Sequence, residues 1–483
     1  MIKCTKAFSK NVLFVALAGC LPLLITSCSF QKYTPKTINP IANAVKFEQK
    51  NPESAPFQQY LVNNGYAANS LPLQQWNVDD LTYCALYFHP SLDVARAQWR
   101  LAESAEANSA EKPVPILNGH LANSNRANQD ISPFAFGLSI DIPIETANKR
   151  DIRIENARHL SQAAKLDVAQ TAWQLRNLVA QSFNEYQFNL QQINLLTDEE
   201  SRRQEIVAMY QNRVNVGAAS NIDLSIAKLQ LQTTTSELNT KKQNKLVLLA
   251  KLANSLGLPL AKVEAMHFVV DTDIQKVANL QTDNLQTAAL LNRLDIRIAL
   301  ERYAAVEAKL KLEIAKQYPN LVISPGYAYE FGDKIWSLGL SGLLTLLNKN
   351  KLGIAAATQL REVEVAQFEA LQSKVIAEAS IANAELTQAQ QVFINQQKLR
   401  EKQQSNAQRM ERKFSAGEID RLELSFNKLE KIASDKNVAL AQFQLLTALT
   451  QLENVLQKPL LSMKTQTKNN TSIEDLSFKK PAD

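Results

Sequence analysis

Apolar and polar positions in this chain follow two periods, and the periods come in the same order twice. A period of two marks short stretches. From 134 to 142, Phe134, Phe136, Leu138, Ile140 and Ile142 alternate with small or polar residues. The stretch 336–341 does the same with Trp336, Leu338 and Leu340. Between 321 and 331, Ile323, Tyr327, Tyr329 and Phe331 share one face, and Ser324, Gly326, Ala328 and Glu330 the other. Such alternation predicts strands with one apolar and one polar face. The segment 117–125 is a weaker fourth strand, and Pro325 sits awkwardly inside a ladder. A three–four period marks long stretches, roughly 151–216 and 351–416, neither of which contains proline. Leu175, Leu178, Val179, Ser182, Phe183, Tyr186, Leu190 and Ile193 form a narrow seam, with Gln and Asn elsewhere. A narrow seam suits coiled-coil packing. About 65 residues at 1.5 Å rise reach on the order of 100 Å, so these helices fit a wall one helix thick and wet on both sides.

Each long helix leads into a turn that occurs twice. Arg213-Val214-Asn215-Val216-Gly217-Ala218-Ala219-Ser220-Asn221-Ile222-Asp223-Leu224 returns as Arg412-Lys413-Phe414-Ser415-Ala416-Gly417-Glu418-Ile419-Asp420-Arg421-Leu422-Glu423-Leu424. Gly217 and Gly417 lie 417 − 217 = 200 positions apart, and at that offset Lys413 stands for Arg213, Asp420 for Ser220 and Glu423 for Asp223. A glycine accepts the left-handed backbone that ends a helix. Ser220 or Asp420 can then cap the next helix, with Asp223 or Glu423 reaching back as the partner in a capping box. Each copy is therefore the tip of a helical hairpin, with return helices to about 256 and 456. The helix openings at Leu81-Thr82-Tyr83-Cys84-Ala85-Leu86 and Leu285-Gln286-Thr287-Ala288-Ala289-Leu290 pair at an offset of 204. One fold built of two similar halves follows, 79–270 and 271–462.

The ends differ from the body. Residues 1–27 have a basic start and an apolar run from Val12 to Ile25, which reads as a secretory signal. Two cysteines could close it as lipid acceptors. Leu17-Ala18-Gly19-Cys20 fits by residue type, whereas Ile25-Thr26-Ser27-Cys28 leaves a polar mature start, and Cys28 is preferred. An ordinary cleaved signal or an anchor helix is the alternative. Residues 28–78, punctuated by Pro35, Pro40, Pro52, Pro56 and Pro72, are expected to form an extended lipidated tether. The polar end, 463–483, is expected to be disordered.

The net charge is +6, and Lys3, Lys6 and Lys10 leave with the signal, so nucleic acid is not an expected partner. Cys84 would be the one mature thiol beyond the acceptor, which excludes a disulfide framework. His89, His120, His159 and His267 have no ligand spacing, so no metal site is expected. There is no phosphate loop, nucleophile elbow or Cys–His cluster. Paired acids such as Glu199-Glu200 are expected to be solvated. No enzyme and no cofactor are expected.

About ten alternating residues with aromatic ends is also the pattern of a transmembrane β-barrel strand, although a soluble sheet with one dry face gives the same alternation. With the doubled tip, the helix openings at Ala85 and Ala289, and the strand-to-helix turns Asn148-Lys149-Arg150 and Asn348-Lys349-Asn350, the mature chain resembles the TolC family of outer-membrane efflux proteins. The turns look most like the heavy-metal cation efflux subgroup, while His89 and Leu294 depart from the usual residues at the helix openings. The resemblance implies an α+β membrane fold. A homotrimer would share one outer-membrane barrel, four strands per chain, continued by a coiled-coil periplasmic tunnel. It also implies a passive exit duct, supplied by an inner-membrane pump through a periplasmic adaptor. Arg213, Gly217, Ser220, Lys413, Gly417 and Asp420 become candidates for adaptor contact. Asp223 and Glu423 fall where an acidic ring narrows the entrance, or they act only as caps. A type I protein secretion duct shares the fold. A periplasmic coiled-coil adaptor or scaffold lipoprotein is the reading from another class.

Overall fold

The computed structural model describes residues 31–125, 132–270, 273–280, 285–342, 349–460 and 473–478. The chain divides into two compact units, one ending at Gln49 and one beginning at Lys50. In the first, helix α1 (Pro40–Glu48) starts at Asn39, whose side chain accepts from the backbone N–H groups of Ile41 and Ala42.

The second unit opens with α2 (Ala55–Asn63), then α3 (Val78–Phe88) and α4 (Pro90–Ser109). Strands β1 (Ile116–Asn123) and β2 (Phe134–Ile144) follow, then α5 (Lys149–Asn215) and α6 (Asn221–Leu256). After the short helices α7 (Leu260–Glu264) and α8 (Ile274–Ala278), the same kinds of element return in order. These are α9 (Leu285–Asn292), α10 (Leu294–Ala315), β3 (Leu321–Glu330), β4 (Asp333–Gly342), α11 (Lys351–Ser415) and α12 (Arg421–Leu456). A last helix, α13, spans Ile473–Phe478. The repetition extends to burial. Ala157, Leu175, Val179, Ser182, Tyr186 and Asn189 of α5 are buried or nearly so, and so are their offset-200 counterparts, among them Ala357, Val375, Ala379, Ala382, Leu386 and Ala389.

The four strands form one antiparallel sheet in the order β1-β2-β3-β4. Register places Leu138 beside Gly119 and Tyr327, and Tyr327 beside Trp336. Opposed residues in a pair share a face, so Leu121, Phe136, Leu138, Ile140, Ile142, Tyr327, Tyr329, Trp336, Leu338 and Leu340 lie together on one apolar face. Phe136 and Tyr329 stack at 5.5 Å, and Tyr327 tilts against Trp336 at 4.8 Å. The other face carries Asn118, His120, Ser139, Asp141, Ser324, Gly326 and Ser337. A Cβ on Gly326 would meet Ser337 Oγ at 2.8 Å and Ser139 Cβ at 3.3 Å, so a larger residue there would have to displace the Ser337 hydroxyl. Pro325 has no N–H, and the β2–β3 ladder lapses opposite it between Ser139 and Ile142. The β3–β4 turn is Phe331-Gly332, both with positive φ, 49° and 116°. A two-residue loop of this kind matches the twist of the strands it joins.

Two expectations are corrected. The extended tether does not reach Val78: α2 buries Phe57, Tyr60 and Leu61, and Tyr66 and Trp76 join the same core as Leu81, Trp173 and Leu256. Its prolines do not keep the segment extended, because Pro56 lies in the first turn of α2, where a missing N–H costs nothing. The tail is not wholly disordered either, since α13 docks on the body. Ile473 enters the core, Phe478 meets Trp99 at 5.7 Å, and Arg297 holds Glu474 through two hydrogen bonds. Three apolar or paired side chains in six residues suffice to seat a short polar helix.

Candidate functional site

At the hairpin tips, local chemistry sets the geometry. Gly217 and Gly417 have φ of 73° and 78°, and at both the N–H of the next residue returns to the helix, Ala218 N to Arg213 O at 2.7 Å and Glu418 N to Lys413 O at 2.9 Å. Nothing lies within 4 Å of a Cβ built on either glycine, so the requirement is one of backbone alone. In the first tip Ser220 and Asp223 form the reciprocal capping box: Ser220 Oγ accepts from Ile222 N at 2.9 Å and Asp223 Oδ2 from Ser220 N at 3.3 Å. The second tip departs from that scheme. Asp420 Oδ1 accepts from Glu423 N at 2.8 Å, and the Glu423 carboxylate makes no return bond.

Asp420 has a second task. Its Oδ2 accepts from Arg213 Nη2 at 2.8 Å, which ties one tip to the other. The backbone N–H of Glu423 and then the Arg213 guanidinium hold the Asp420 carboxyl below the usual aspartate range. Behind this contact Ile206, Ala227 and Leu422 form a small apolar layer, with Tyr210 and Leu429 against it. Further up, Lys436 Nζ of α12 meets Glu199 Oε2 of α5 at 3.1 Å, and Arg203 binds the same carboxylate. Burial pushes the Glu199 carboxyl up, but Arg203 and Lys436 outweigh it and leave it below the ordinary value. The expectation that Glu199-Glu200 are simply solvated is thereby corrected: Glu199 is half-buried and paired, and Glu200 accepts from Thr235 Oγ1 at 2.6 Å. Among the described residues Lys413 pairs with Glu418 alone, at 3.9 Å.

At the opposite end of the long helices lie the strand-to-helix turns. Ala147-Asn148 and Lys349-Asn350 are all left-handed, and Asn148 and Asn350 precede the first residues of α5 and α11. Lys149 Nζ donates to Tyr318 O at 2.5 Å and Asn320 Oδ1 at 2.6 Å, clamping the start of β3 to the start of α5. Within the sheet, Asp141 accepts from Asn118 Nδ2 at 2.7 Å and Ser324 Oγ at 2.6 Å, so its charge bridges three strands on the polar face.

Of the residues singled out in the sequence, Arg213 and Asp420 come together, Ser220 and Asp223 cap, and Lys413 and Glu423 stand exposed. Cys20 and Cys28 lie outside the described residues. Glu199, Lys436 and Lys149 were not anticipated as cross-links. The available signal was that residues at the 200 offset differ in charge, Ser220 against Asp420 for example, where equal roles would call for equal residues. Among the described residues no group of three or more His, Cys, Asp or Glu could hold a metal ion, and no helix is long and apolar enough to cross a membrane.

Residues 81–258 match the family Outer membrane efflux protein. No curated protein matches the chain in sequence. Among solved structures it is similar to the outer-membrane channel OprN, at 16% identity and TM-score 0.63 over 90% of this chain and 99% of that one. The outer membrane protein VceC of Vibrio cholerae gives 15% identity and TM-score 0.65 over 84% and 100%. The Campylobacter jejuni CmeC outer membrane channel gives 14% identity and TM-score 0.65 over 93% and 98%. At these identities the likeness concerns the fold. Residues 81–258 are thus similar in sequence to the outer membrane efflux proteins, and most of the chain shares the fold of outer-membrane channels.

Proposed function

We propose that this chain is the outer-membrane channel of a tripartite efflux system, a passive exit duct fed by an inner-membrane pump through a periplasmic adaptor. The observation that carries the reading is a four-stranded sheet with one exposed apolar face and one polar face, joined to two helical hairpins on the order of 100 Å long. Four strands are too few to close a barrel, so several copies, three in this reading, contribute to one. The apolar face then meets lipid and the polar face lines the lumen. The hairpins form the periplasmic tunnel, with their tips at its entrance. Acylation of Cys28 anchors the chain to the outer membrane, and residues 79–270 and 271–462 act as two repeats.

Exported cargo in this reading is small toxic compounds or metal cations. The tips, through Arg213, Gly217, Ser220, Lys413, Gly417 and Asp420, contact the adaptor. Asp223 and Glu423 place like charges around the entrance, favouring cations. A type I protein secretion duct would use the same architecture. A periplasmic adaptor or scaffold is disfavoured because each half contributes a pair of strands to one sheet.

The test is planar-bilayer recording of the purified protein. Discrete, long-lived conductance steps are expected, with cation preference that weakens in the Asp223→Ala, Glu423→Ala double variant. Absence of steps from protein that migrates as a heat-modifiable oligomer would remove the duct reading. Unchanged selectivity in the double variant would leave Asp223 as a cap only and Glu423 without a role at the entrance.

A further inference from the structure

Two helices from opposite halves, α4 and α10, pack along α5, and α13 packs on the same helix. The six residues of α13 reach all three. Ile473 is 5% exposed and shares the core that holds Leu92 of α4, Leu166 of α5 and Ile298 of α10. Ser477 is fully buried, and its carbonyl accepts from Arg96 Nε of α4 at 3.0 Å. Phe478 meets Trp99 of α4 at 5.7 Å, and Lys165 Nζ of α5 stands over both rings, at 4.9 Å from Phe478 and 5.6 Å from Trp99. From the second half, Arg297 of α10 donates twice to the Glu474 carboxylate, at 2.8 and 3.1 Å.

The match is chemical as well as spatial. Glu474, Ile473 and Phe478 bring a carboxylate and two apolar side chains, and the receiving surface brings Arg96, Lys165, Arg297 and the Trp99 ring. The internal repeat does not share that surface. At its offsets Arg96 and Trp99 become Leu300 and Tyr303, Lys165 becomes Val365, and Arg297 becomes Asp93. The surface is therefore particular to the joint of α4, α5 and α10. A six-residue segment is too short to hold a helix alone in water, so α13 is a helix only when docked. Docking needs helices of both halves in place together, and a segment that binds only the assembled joint stabilises that joint by mass action.

We propose that α13 is a releasable strap across the two halves of the chain: docked, it fixes α10 to α4 and α5 and sets the level at which the halves move as one body. Lys165 and Arg213 are 213 − 165 = 48 residues apart on α5, so the strap lies about 70 Å from the tips. There the halves meet through the exposed Arg213–Asp420 pair, whereas the strap buries Ile473 and Ser477. Motion of one half against the other is thereby left to the tip end. The Arg297 and Glu474 side chains are 42% and 30% exposed, so salt reaches this bond and weakens the hold of the strap. The inference concerns a joint within one chain and stands whether or not the assembled protein is a duct.

Hydrogen exchange on the full-length protein tests it. A protease-cleavable sequence placed within residues 464–470 lets α13 be cut free after the chain has folded, and a high-salt wash then removes the fragment. The washed protein, returned to low salt, should exchange the backbone amides of α4 and α10 faster than the parent by about tenfold or more. Residues 213–223 and 412–424 should exchange as in the parent. Arg297→Glu should speed loss of the fragment by about 1.4- to 5-fold, the range of a half-exposed ion pair, and Glu474→Arg added to it should restore retention. Ile473→Asp, which removes the apolar anchor, should give the exchange pattern of the washed protein without any cut. Unchanged exchange in α4 and α10 after the fragment has gone would overturn the strap. Exchange that rises everywhere, tips included, would overturn it too, since α13 would then support the whole fold rather than this joint.

Discussion

In the proposed duct, breaking the contact between the two tips should make the entrance easier to open. Asp420→Asn is the sharpest perturbation, because asparagine caps helices as well as aspartate does and can keep the bond from Glu423 N while losing the charge that binds Arg213. The Arg213 and Asp420 side chains are 38% and 56% exposed, so one such pair contributes about 0.2–1 kcal/mol. In a ring of three copies that opens as a whole, three pairs sum to about 0.6–3 kcal/mol, a change of roughly 3- to 150-fold in the ratio of open to closed. Single-channel open probability in planar bilayers reads that ratio, and Arg213→Gln should match Asp420→Asn. The pH response has a definite sign. The folded-state pKa of Asp420 is depressed, so its contribution is present above the ordinary aspartate range and is lost as pH falls through the depressed value. Acidification should therefore raise the open probability of the parent only below that range, and the Asn variant should lack the step. High salt should shrink the difference between parent and variant. If both charge variants keep the parent's open probability and only Asp420→Ala changes it, the residue is a cap and the tip-to-tip contact does not hold the entrance.

On the sheet, Leu138→Arg should impair assembly by about 2–4 kcal/mol at the membrane midplane and Ser139→Arg by much less, as read from the yield of heat-modifiable oligomer; equal tolerance would remove the barrel assignment. Arg176→Ile leaves the buried Glu453 carboxylate, among the described residues, with Leu460 N as its one remaining partner, at a cost of about 3–5 kcal/mol, and adding Glu453→Ala should recover most of it in thermal unfolding followed by circular dichroism. A double variant no more stable than the single would show that the loss comes from packing rather than from the stranded charge. Cys28→Ser should abolish lipid labelling, whereas normal labelling of that variant with loss in Cys20→Ser would move the anchor to Cys20.

What the sequence determined is what neighbours in the chain decide between themselves. Gly217 and Gly417 turn left-handed, Ser220 and Asp420 cap, and the apolar alternation of β2 fixes its two faces, all through groups a few residues apart. The return helices end at Leu256 and Leu456, as the pattern predicts. Offset 200 also marks which halves correspond. What only the tertiary structure decided involves partners far apart in the chain. Arg213 and Asp420 are 207 positions apart, and nothing near either residue announces the other. Glu199 reads as a solvated helix acid until Lys436, from the other half, arrives beside it. The segment 55–78 reads as tether because prolines and polar residues dominate it, yet Phe57, Leu61 and Trp76 find a core supplied by α3, α5 and α6. Residues 473–478 likewise gain helix and burial from Trp99, Arg96 and Arg297. A short segment has too few internal bonds to fix its own conformation, so its structure is set by the surface that receives it, and that surface exists only once the long helices have packed.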